Sequence, residues 1–295
     1  MRLVLTLIAG PDGHAALPGI TAAVAGTIAV AVTGPDWLAP GVACDLHFDG
    51  DAIAADLAAR GVIGRAPIDC LVQPLAGRRK RVLVADMEST VIENEMLDEL
   101  AEFVGLRTEV AEITGRAMNG ELDFAAALAE RVALLKGLPV SVLDEAYAKV
   151  RLISGAATLV ATMRTNGAET ALVSGGFGVF ADKVAARLGF GQIVCNHLDL
   201  AGDTIAGTVA SPLVTADTKR RTLIDIAATR GVPLAETVAV GDGANDLPML
   251  LTAGLGVAFR AKPAVAAAAR WRVDHADLTA LLYAQGYRHD EIVGR

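Results

Sequence analysis

The stretch "RVLVADMEST", residues 81–90, is the feature from which the fold and the chemistry can be predicted. An apolar run is followed by Asp86 and Glu88, two residues apart. Strand side chains alternate between faces, so both carboxylates would emerge on one side of an extended chain. Ligands of open α/β sheets bind beyond the carboxyl ends of the strands, where this pair lies. One acid could serve as a nucleophile and the other as a proton donor, although the pair alone is also typical of a helix cap or a solvated turn.

The composition is that of a globular chain with room for more than one domain. Its 295 residues are 53% hydrophobic and 4% aromatic, enough to bury a large core. The formal net charge of −8 argues against a broad nucleic-acid surface. The compact basic run Arg78–Arg81 is interpreted as a solvated linker. No nucleic-acid partner is therefore expected.

Signals for disulfides, zinc and membranes are weak. The three cysteines are scattered and have no metal-ligand spacing. Residues 14–35 carry no formal charge, but Pro18 and Gly26 interrupt them, which argues against a membrane span. Residues 1–10 predict a β-strand rather than a signal peptide, because Pro11–Gly13 follow at once. These features predict a cytoplasmic protein with no membrane partner.

Residues 1–77 are predicted to form a separate domain. Strand-like runs occur at residues 3–9, 42–50 and 68–75, and residues 51–61 have helical spacing. With an Ala-rich helix before them and a further strand inside residues 28–34, the order would be βαββαβ, a ferredoxin-like α+β unit.

Residues 78–295 predict an α/β fold with a Rossmann-like core, residues 81–93 and 154–295, and a parallel sheet. Residues 94–153 predict an all-helical cap insert, in which Asp123 and Ser141 are expected to cap helices. Residues 194–209 predict an antiparallel hairpin.

Other predicted strand ends also carry polar groups. "VSGG", residues 173–176, offers a hydroxyl and unobstructed backbone N–H groups suited to phosphate oxygens. Lys219 begins a predicted helix and supplies a point charge of the kind that holds phosphate. "GDGAND", residues 241–246, follows a third apolar strand with two more acids. Each of these segments alone is also typical of a turn or a solvated surface.

Taken together, the four segments match the requirements of phosphoryl transfer through an aspartate. An aspartate attacks phosphorus, a second acid protonates the leaving oxygen, and a serine and a lysine neutralise the phosphoryl charge. Carboxylates at two strand ends hold Mg²⁺, which prefers oxygen ligands. Mg²⁺ is therefore the expected cofactor.

The motifs "DMEST", "VSGG", Lys219 and "GDGAND" resemble, in sequence and in order, those of the haloacid dehalogenase superfamily of phosphatases. The insert, which begins "ENEMLDELAEFVG", is similar to the cap of the phosphoserine phosphatase family, and this resemblance covers residues 81–270. It implies Mg²⁺-dependent hydrolysis of the small-molecule substrate O-phospho-L-serine, the last step of serine biosynthesis. The N-terminal unit resembles an ACT-like module, which implies a regulatory or dimerising domain and allows a homodimer.

The resemblance implies a role for each matching residue. Asp86 would be the nucleophile and a metal ligand, Glu88 the acid/base catalyst and a ligand through its backbone carbonyl, and Asp242 the other protein ligand. Asp246 would support the metal site from behind. The substrate-binding residues implied are Ser174, Gly175 and Lys219 for the phosphate and Asn245 for the substrate, with Glu95, Met118, Phe124 and Arg131 around the amino acid.

Glu88 departs from the family, which usually has Asp there. Glu is one methylene longer, so its carboxyl must fold back to reach the same leaving oxygen, whereas a backbone ligand is unaffected. Two alternatives stay open: the same chemistry on another small phosphomonoester, including transfer to an alcohol, or an amino acid or phosphate sensor whose catalysis Glu88 weakens.

Overall fold

The computed structural model describes residues 2–28, 34–118 and 121–294. These residues form a four-stranded antiparallel sheet, a six-stranded parallel sheet and a two-stranded antiparallel ribbon. No helix in the described ranges combines the length and the apolar character needed to cross a membrane.

The N-terminal unit has the predicted order βαββαβ. Its sheet order is β2-β3-β1-β4, as expected for a ferredoxin-like unit. Residues 29–33, where a strand was predicted, lie outside the described residues, and the second described strand follows them. The elements are β1 Arg2–Ala9, α1 Leu17–Thr27, β2 Asp36–Ala39, β3 Ala43–Asp49, α2 Ala52–Ile63 and β4 Ile68–Pro74.

Strand β1 is buried on both faces from Leu3 onward because the sheet is covered on both sides. Leu3, Leu5 and Leu7 pack in one core with α1 and α2. Ile8, on the opposite face, belongs to the core of the C-terminal unit. Strand side chains alternate between faces, so this one strand contributes to both cores.

The C-terminal unit is a parallel sheet in the order β12-β11-β10-β5-β6-β7, with a separate β8-β9 ribbon. Its strands are β5 Val82–Ala85, β6 Glu169–Phe177, β7 Gln192–Asn196, β8 Leu198–Ala201, β9 Thr204–Val209, β10 Thr237–Gly241, β11 Leu255–Phe259 and β12 Trp271–Val273. Its helices are α3 Met96–Phe103, α4 Arg107–Met118, α5 Phe124–Ala133, α6 Ser141–Tyr147, α7 Ala156–Thr165, α8 Gly178–Leu188, α9 Ala216–Thr229, α10 Leu247–Thr252, α11 Pro263–Ala268 and α12 Ala280–Ala284.

The insert after β5 is helical, as predicted, and consists of α3 to α6. Asp123 caps α5 by accepting the N–H of Ala126 at 2.7 Å. The predicted cap at Ser141 is wrong: Val140 occupies the N-cap position and Ser141 is already inside α6. Val140 itself has helical dihedral angles, so the chain is already helical before Ser141 and that serine lacks the non-helical conformation of a capping residue.

The predicted hairpin is confirmed for its second part only. Strands β8 and β9 pair antiparallel around Ala201 and Thr204, but residues 194–196 belong to β7 at the edge of the parallel sheet. The hairpin contacts the insert, since the N–H of Gly137 donates to the carbonyl of Ile205 at 2.9 Å.

The interpretation of the basic run as a solvated linker is wrong for Arg78 and Lys80, which are 9% and 7% exposed. Arg78 donates to both carboxylate oxygens of Asp45, at 2.6 and 3.1 Å. Lys80 donates to the carbonyls of Gly77 and Ala235, both at 2.8 Å, and burial lowers the pKa of Lys80 to about 8. Composition identifies the charges but not the distant partners that allow them to be buried.

Further contacts join the two units along β4 and β12. The indole N–H of Trp271 donates to the carbonyl of Val72 at 2.8 Å. The carboxylate of Asp69 accepts the backbone N–H groups of three consecutive residues, Asp274, His275 and Ala276. The edge strand of the parallel sheet is thus covered by the N-terminal unit.

The buried pair formed by Arg78 and Asp45 predicts a large stability effect. Arg78→Met would leave the carboxylate of Asp45, 1% exposed, without its cation, and breaking a buried pair from one side commonly costs about 3–5 kcal/mol. We expect a loss of that size in the free energy of unfolding measured with urea.

Arg81→Met is the matched control for this substitution. Its side chain is 58% exposed and lies 3.5 Å from Glu236, so its loss should cost less than about 1 kcal/mol. Equal losses in the two variants would contradict a structural role for the buried pair.

Candidate active site

The predicted strand-end residues meet at one edge of the parallel sheet. Asp86 follows β5 and Asp242 follows β10, and these two strands are neighbours. The glycines of "VSGG" end β6, which lies on the other side of β5. A cavity of about 350 Å³ opens there and extends to the helical insert. The predicted residues that line it are Asp86, Glu88, Glu95, Phe124, Arg131, Gly175, Asp242 and Asn245.

Lys219 joins two carboxylates beneath the cavity. Its ammonium lies 2.6 Å from Oδ1 of Asp86 and 2.7 Å from Oδ1 of Asp246. Lys219 is 1% exposed and Asp246 is fully buried. Burial opposes the charge of Lys219, but the two carboxylates outweigh it and hold the pKa of the lysine above its ordinary value. Burial also raises the pKa of Asp86, so the ionised form of this acid depends on neighbouring cations.

Three carboxylates are close enough to share a cation. Asp86, Asp242 and Asp246 each offer an oxygen within 4.8 Å of the others, and such oxygens suit Mg²⁺. The two oxygens of Asp246 are engaged, one by Lys219 and the other by the N–H of Gly243 at 3.0 Å. Burial raises the pKa of Asp242 to about 6. The arrangement favours Asp86 and Asp242 as ligands and Asp246 as their support.

Glu88 reaches from the strand end to the insert. Its Oε1 accepts the N–H of Met96, the first residue of α3, at 2.8 Å. Burial and then the charge of Glu95 raise the pKa of Glu88 to about 7. A carboxyl with such a pKa can give or accept a proton near neutral pH.

Ser174 lies beneath the glycines of the cavity wall. It is fully buried, and its hydroxyl accepts the N–H of Gly176 at 2.9 Å. Asn196 donates to the carbonyl of Gly175 at 2.7 Å and fixes the same turn. Gly175 and Gly176 line the cavity, whereas Ser174 and Lys219 are not part of its lining.

The insert supplies the opposite wall of the cavity. Arg131 is half-buried and its Nε donates to the carbonyl of Ala127 at 3.2 Å. Glu95 accepts the hydroxyl of Ser89 at 2.7 Å, and Phe124 stays 43% exposed. The remaining predicted cap residue, Met118, ends α4, but its side chain lies outside the described part of the structure.

Sequence reasoning missed Asp98 and Lys262, which also line the cavity. Lys262 follows β11, and its ammonium lies 3.9 Å from Oδ2 of Asp242. Ligands bind beyond the carboxyl ends of parallel strands, and this rule applied to β11 predicts a role for Lys262. Asp98 lies three residues after Glu95, a spacing that places both on one side of a helix.

The structure has a Rossmann-like parallel sheet, acids at the strand ends and a helical insert above them. This combination is typical of α/β enzymes. The sequence model of the family "haloacid dehalogenase-like hydrolase" matches residues 83–251, more than half of the chain. The chain therefore belongs to this family.

The chain is similar to phosphoserine phosphatases. It is 46% identical to that of Streptococcus thermophilus over 199 residues, 68% of this chain and 93% of the relative. Identity to that of Streptomyces coelicolor is 43% over 241 residues, 82% of this chain but only 58% of the longer relative. The crystal structure of a probable phosphoserine phosphatase from Vibrio cholerae superimposes with a TM-score of 0.80 at 31% identity, covering 98% of this chain and 88% of that one.

Lys219→Met tests the charge balance beneath the cavity. The substitution would leave Asp86 and Asp246 buried together without a cation, so the free energy of unfolding should fall by about 3–5 kcal/mol in metal-free buffer at pH 7. Urea unfolding followed by circular dichroism measures this change.

Lys262→Met provides the comparison, because this lysine is 69% exposed and only approaches Asp242. Its loss should change stability by less than about 1 kcal/mol. If both variants lose the same amount, Lys219 does not hold the carboxylates together.

Proposed function

We propose that this protein hydrolyses O-phospho-L-serine to L-serine and phosphate, with Mg²⁺ as cofactor and an aspartyl-phosphate at Asp86 as intermediate. The observation that carries the proposal is one cavity that joins the strand-end acids Asp86, Glu88 and Asp242 to Glu95 and Arg131 of the insert. The relatives named phosphoserine phosphatase support the same substrate.

The carboxylates fit the proposed cation. Asp86 and Asp242 would each provide a carboxylate oxygen and Glu88 its backbone carbonyl, while Asp246 would orient the site through Lys219 and Gly243. Magnesium, when bound, would neutralise phosphoryl charge and offset its repulsion by the acids.

In the first half of the reaction, a carboxylate oxygen of Asp86 attacks phosphorus. The bond from phosphorus to the serine oxygen breaks, and Glu88 in its acid form donates a proton to that oxygen. L-Serine leaves, and the phosphoryl group remains on Asp86.

In the second half, Glu88 is a carboxylate and takes a proton from a water molecule. The water oxygen attacks phosphorus, the bond from phosphorus to Asp86 breaks, and phosphate leaves. Both acids return to their starting forms. The pKa of Glu88, raised to about 7 by burial and then by Glu95, suits a group that serves in turn as acid and base.

Phosphate would be held by the other strand ends. The backbone N–H of Gly175 and the side chain of Asn245, which line the cavity, would provide donors. Ser174 and Lys219 lie beneath the lining and would add a hydroxyl and a positive charge from there. These contacts are common to all phosphomonoesters, so they cannot select one substrate.

Selection of the serine part is assigned to the insert. Arg131 offers a planar fork to the substrate carboxylate, and Glu95 offers a partner to its ammonium. Phe124, which lines the cavity, would contact the short carbon skeleton.

For the N-terminal unit, residues 1–77, we propose an ACT-like regulatory or dimerising role beside the phosphatase domain, residues 78–295. Its βαββαβ order and its packing against β12 support a unit that can affect the catalytic sheet. The corresponding assembly is a homodimer.

Asp86→Asn tests the nucleophile. An amide is a poor nucleophile and a weaker Mg²⁺ ligand, so phosphate release from phosphoserine should be abolished while circular dichroism shows an intact fold. Removing Mg²⁺ with a chelator should abolish wild-type activity and adding it back should restore it.

Asp225→Asn, an exposed position in α9, should retain full activity under the same conditions. Full turnover by the Asp86 variant, or by chelated wild type, would exclude the proposed mechanism.

Arg131→Ala tests the substrate. Losing one partner of a desolvated charge pair should lower kcat/KM for phosphoserine by at least about 10²-fold. Hydrolysis of p-nitrophenyl phosphate, which has no carboxylate, should hardly change. The informative quantity is the ratio of the two kcat/KM values.

Arg116→Ala is the matched control, since this arginine is 45% exposed and paired with Glu130 on the surface of the insert. Its ratio should equal that of wild type. An unchanged ratio for the Arg131 variant would refute phosphoserine as the substrate and leave the phosphatase chemistry in place.

A further inference from the structure

The carboxyl of Glu88 lies in a narrow space between the insert and the end of β6. On one side, the N–H of Met96 donates to its Oε1 at 2.8 Å. This bond comes from the first residue of α3, so it fixes the carboxyl from the side of the insert.

Gly176 forms the other side of this space. A Cβ built on Gly176 would lie 3.0 Å from Oε2 and 3.1 Å from both Cδ and Oε1 of Glu88. Such separations are tighter than nine in ten real contacts of a Cβ, so a methyl group there would require the carboxyl to move by a few tenths of an ångström.

The neighbouring glycine shows that this constraint is specific. A Cβ on Gly175 would meet Cζ of Phe124 at 3.7 Å, an ordinary contact. Gly176 also has no positive φ, so an alanine would not be excluded there by backbone conformation. A Cβ at position 176 would therefore be opposed by the carboxyl of Glu88 and not by the backbone conformation.

We infer that Gly176 is a positioning residue for Glu88: its missing side chain leaves the space in which the longer acid lies within hydrogen-bond distance of the N–H of Met96. An aspartate at position 88 would be shorter by one C–C bond, about 1.5 Å, and would withdraw from both neighbours. The length of Glu88 and the absence of a side chain at Gly176 are thus complementary. The inference deepens the proposed function, on which its kinetic test rests.

Four proteins test the inference: wild type, Gly176→Ala, Glu88→Asp and the double variant. Displacing the acid by part of an ångström should lower kcat/KM for phosphoserine at least about tenfold in Gly176→Ala, because misplacement by 1 Å can cost about 10²-fold. When Glu88→Asp is already present, the alanine should cost less than about twofold, the scatter expected of independent sites.

A second substrate separates positioning of the acid from general damage. The nitrophenolate of p-nitrophenyl phosphate leaves without needing a proton, so its kcat/KM should fall much less than that of phosphoserine in Gly176→Ala. A structural defect would lower both values alike. Gly61→Ala, in α2 with nothing within 4 Å of the new methyl, should change neither value.

Equal losses on adding the alanine to wild type and to the Glu88→Asp variant would overturn the inference. If wild type hydrolyses neither ester, the proposed function fails, and thermal unfolding of the same four proteins decides the pairing by itself. We then expect the alanine to lower Tm when Glu88 is present and to lower it less in the Glu88→Asp variant. Equal Tm shifts would refute the pairing.

Discussion

The ion pairs of Lys219 with Asp86 and Asp246 hold together the edge of the parallel sheet at which the candidate active site lies. Asp86 and Asp246 are both buried, and the ammonium of Lys219 lies 2.6 Å and 2.7 Å from their carboxylate oxygens, where it offsets the repulsion between the two acids. The lysine comes from α9, whereas the acids follow β5 and β10. Asp86 and Lys219 are more than a hundred residues apart in the sequence, so their contact forms only after β5 and α9 have packed together.

The loop after β5 and the start of the insert form one hydrogen-bonded unit. Glu88 accepts the N–H of Met96, and Ser89, whose φ is 54°, donates to Glu95. A positive φ is uncommon outside glycine, and in this conformation the hydroxyl of Ser89 bonds to Glu95 at the start of the insert. The carboxyl of Glu88 and the side of the cavity formed by the insert are therefore coupled, because movement of α3 would change the environment of both.

The parallel sheet, the helical insert and most of the strand-end residues could be predicted from the sequence, because alternation of apolar strands with glycine turns and polar ends is a local signal. Lys262 was not predicted, although it follows the end of β11 and the same local signal applies to that strand. The prediction that Arg78 is solvated was wrong for a different reason, because its partner Asp45 lies 33 positions away in the sequence. Its guanidinium also contacts α12 and the turn at Gly286, where a Cβ would lie 2.9 Å from Cζ of Arg78. Long-range partners leave no trace in local composition.

The covering of β12 by β4 affects how such a protein can diversify. An uncovered edge strand offers unpaired backbone groups to other chains. Here the N-terminal unit packs beside β12, where the indole N–H of Trp271 donates to Val72 and the backbone N–H groups just after the strand donate to Asp69. Recombination that exchanged the first 77 residues for an unrelated module would strip this edge. Exchange of the N-terminal unit is therefore expected to require compensating changes at Trp271 and in the segment after it, which would otherwise lose their hydrogen-bond partners.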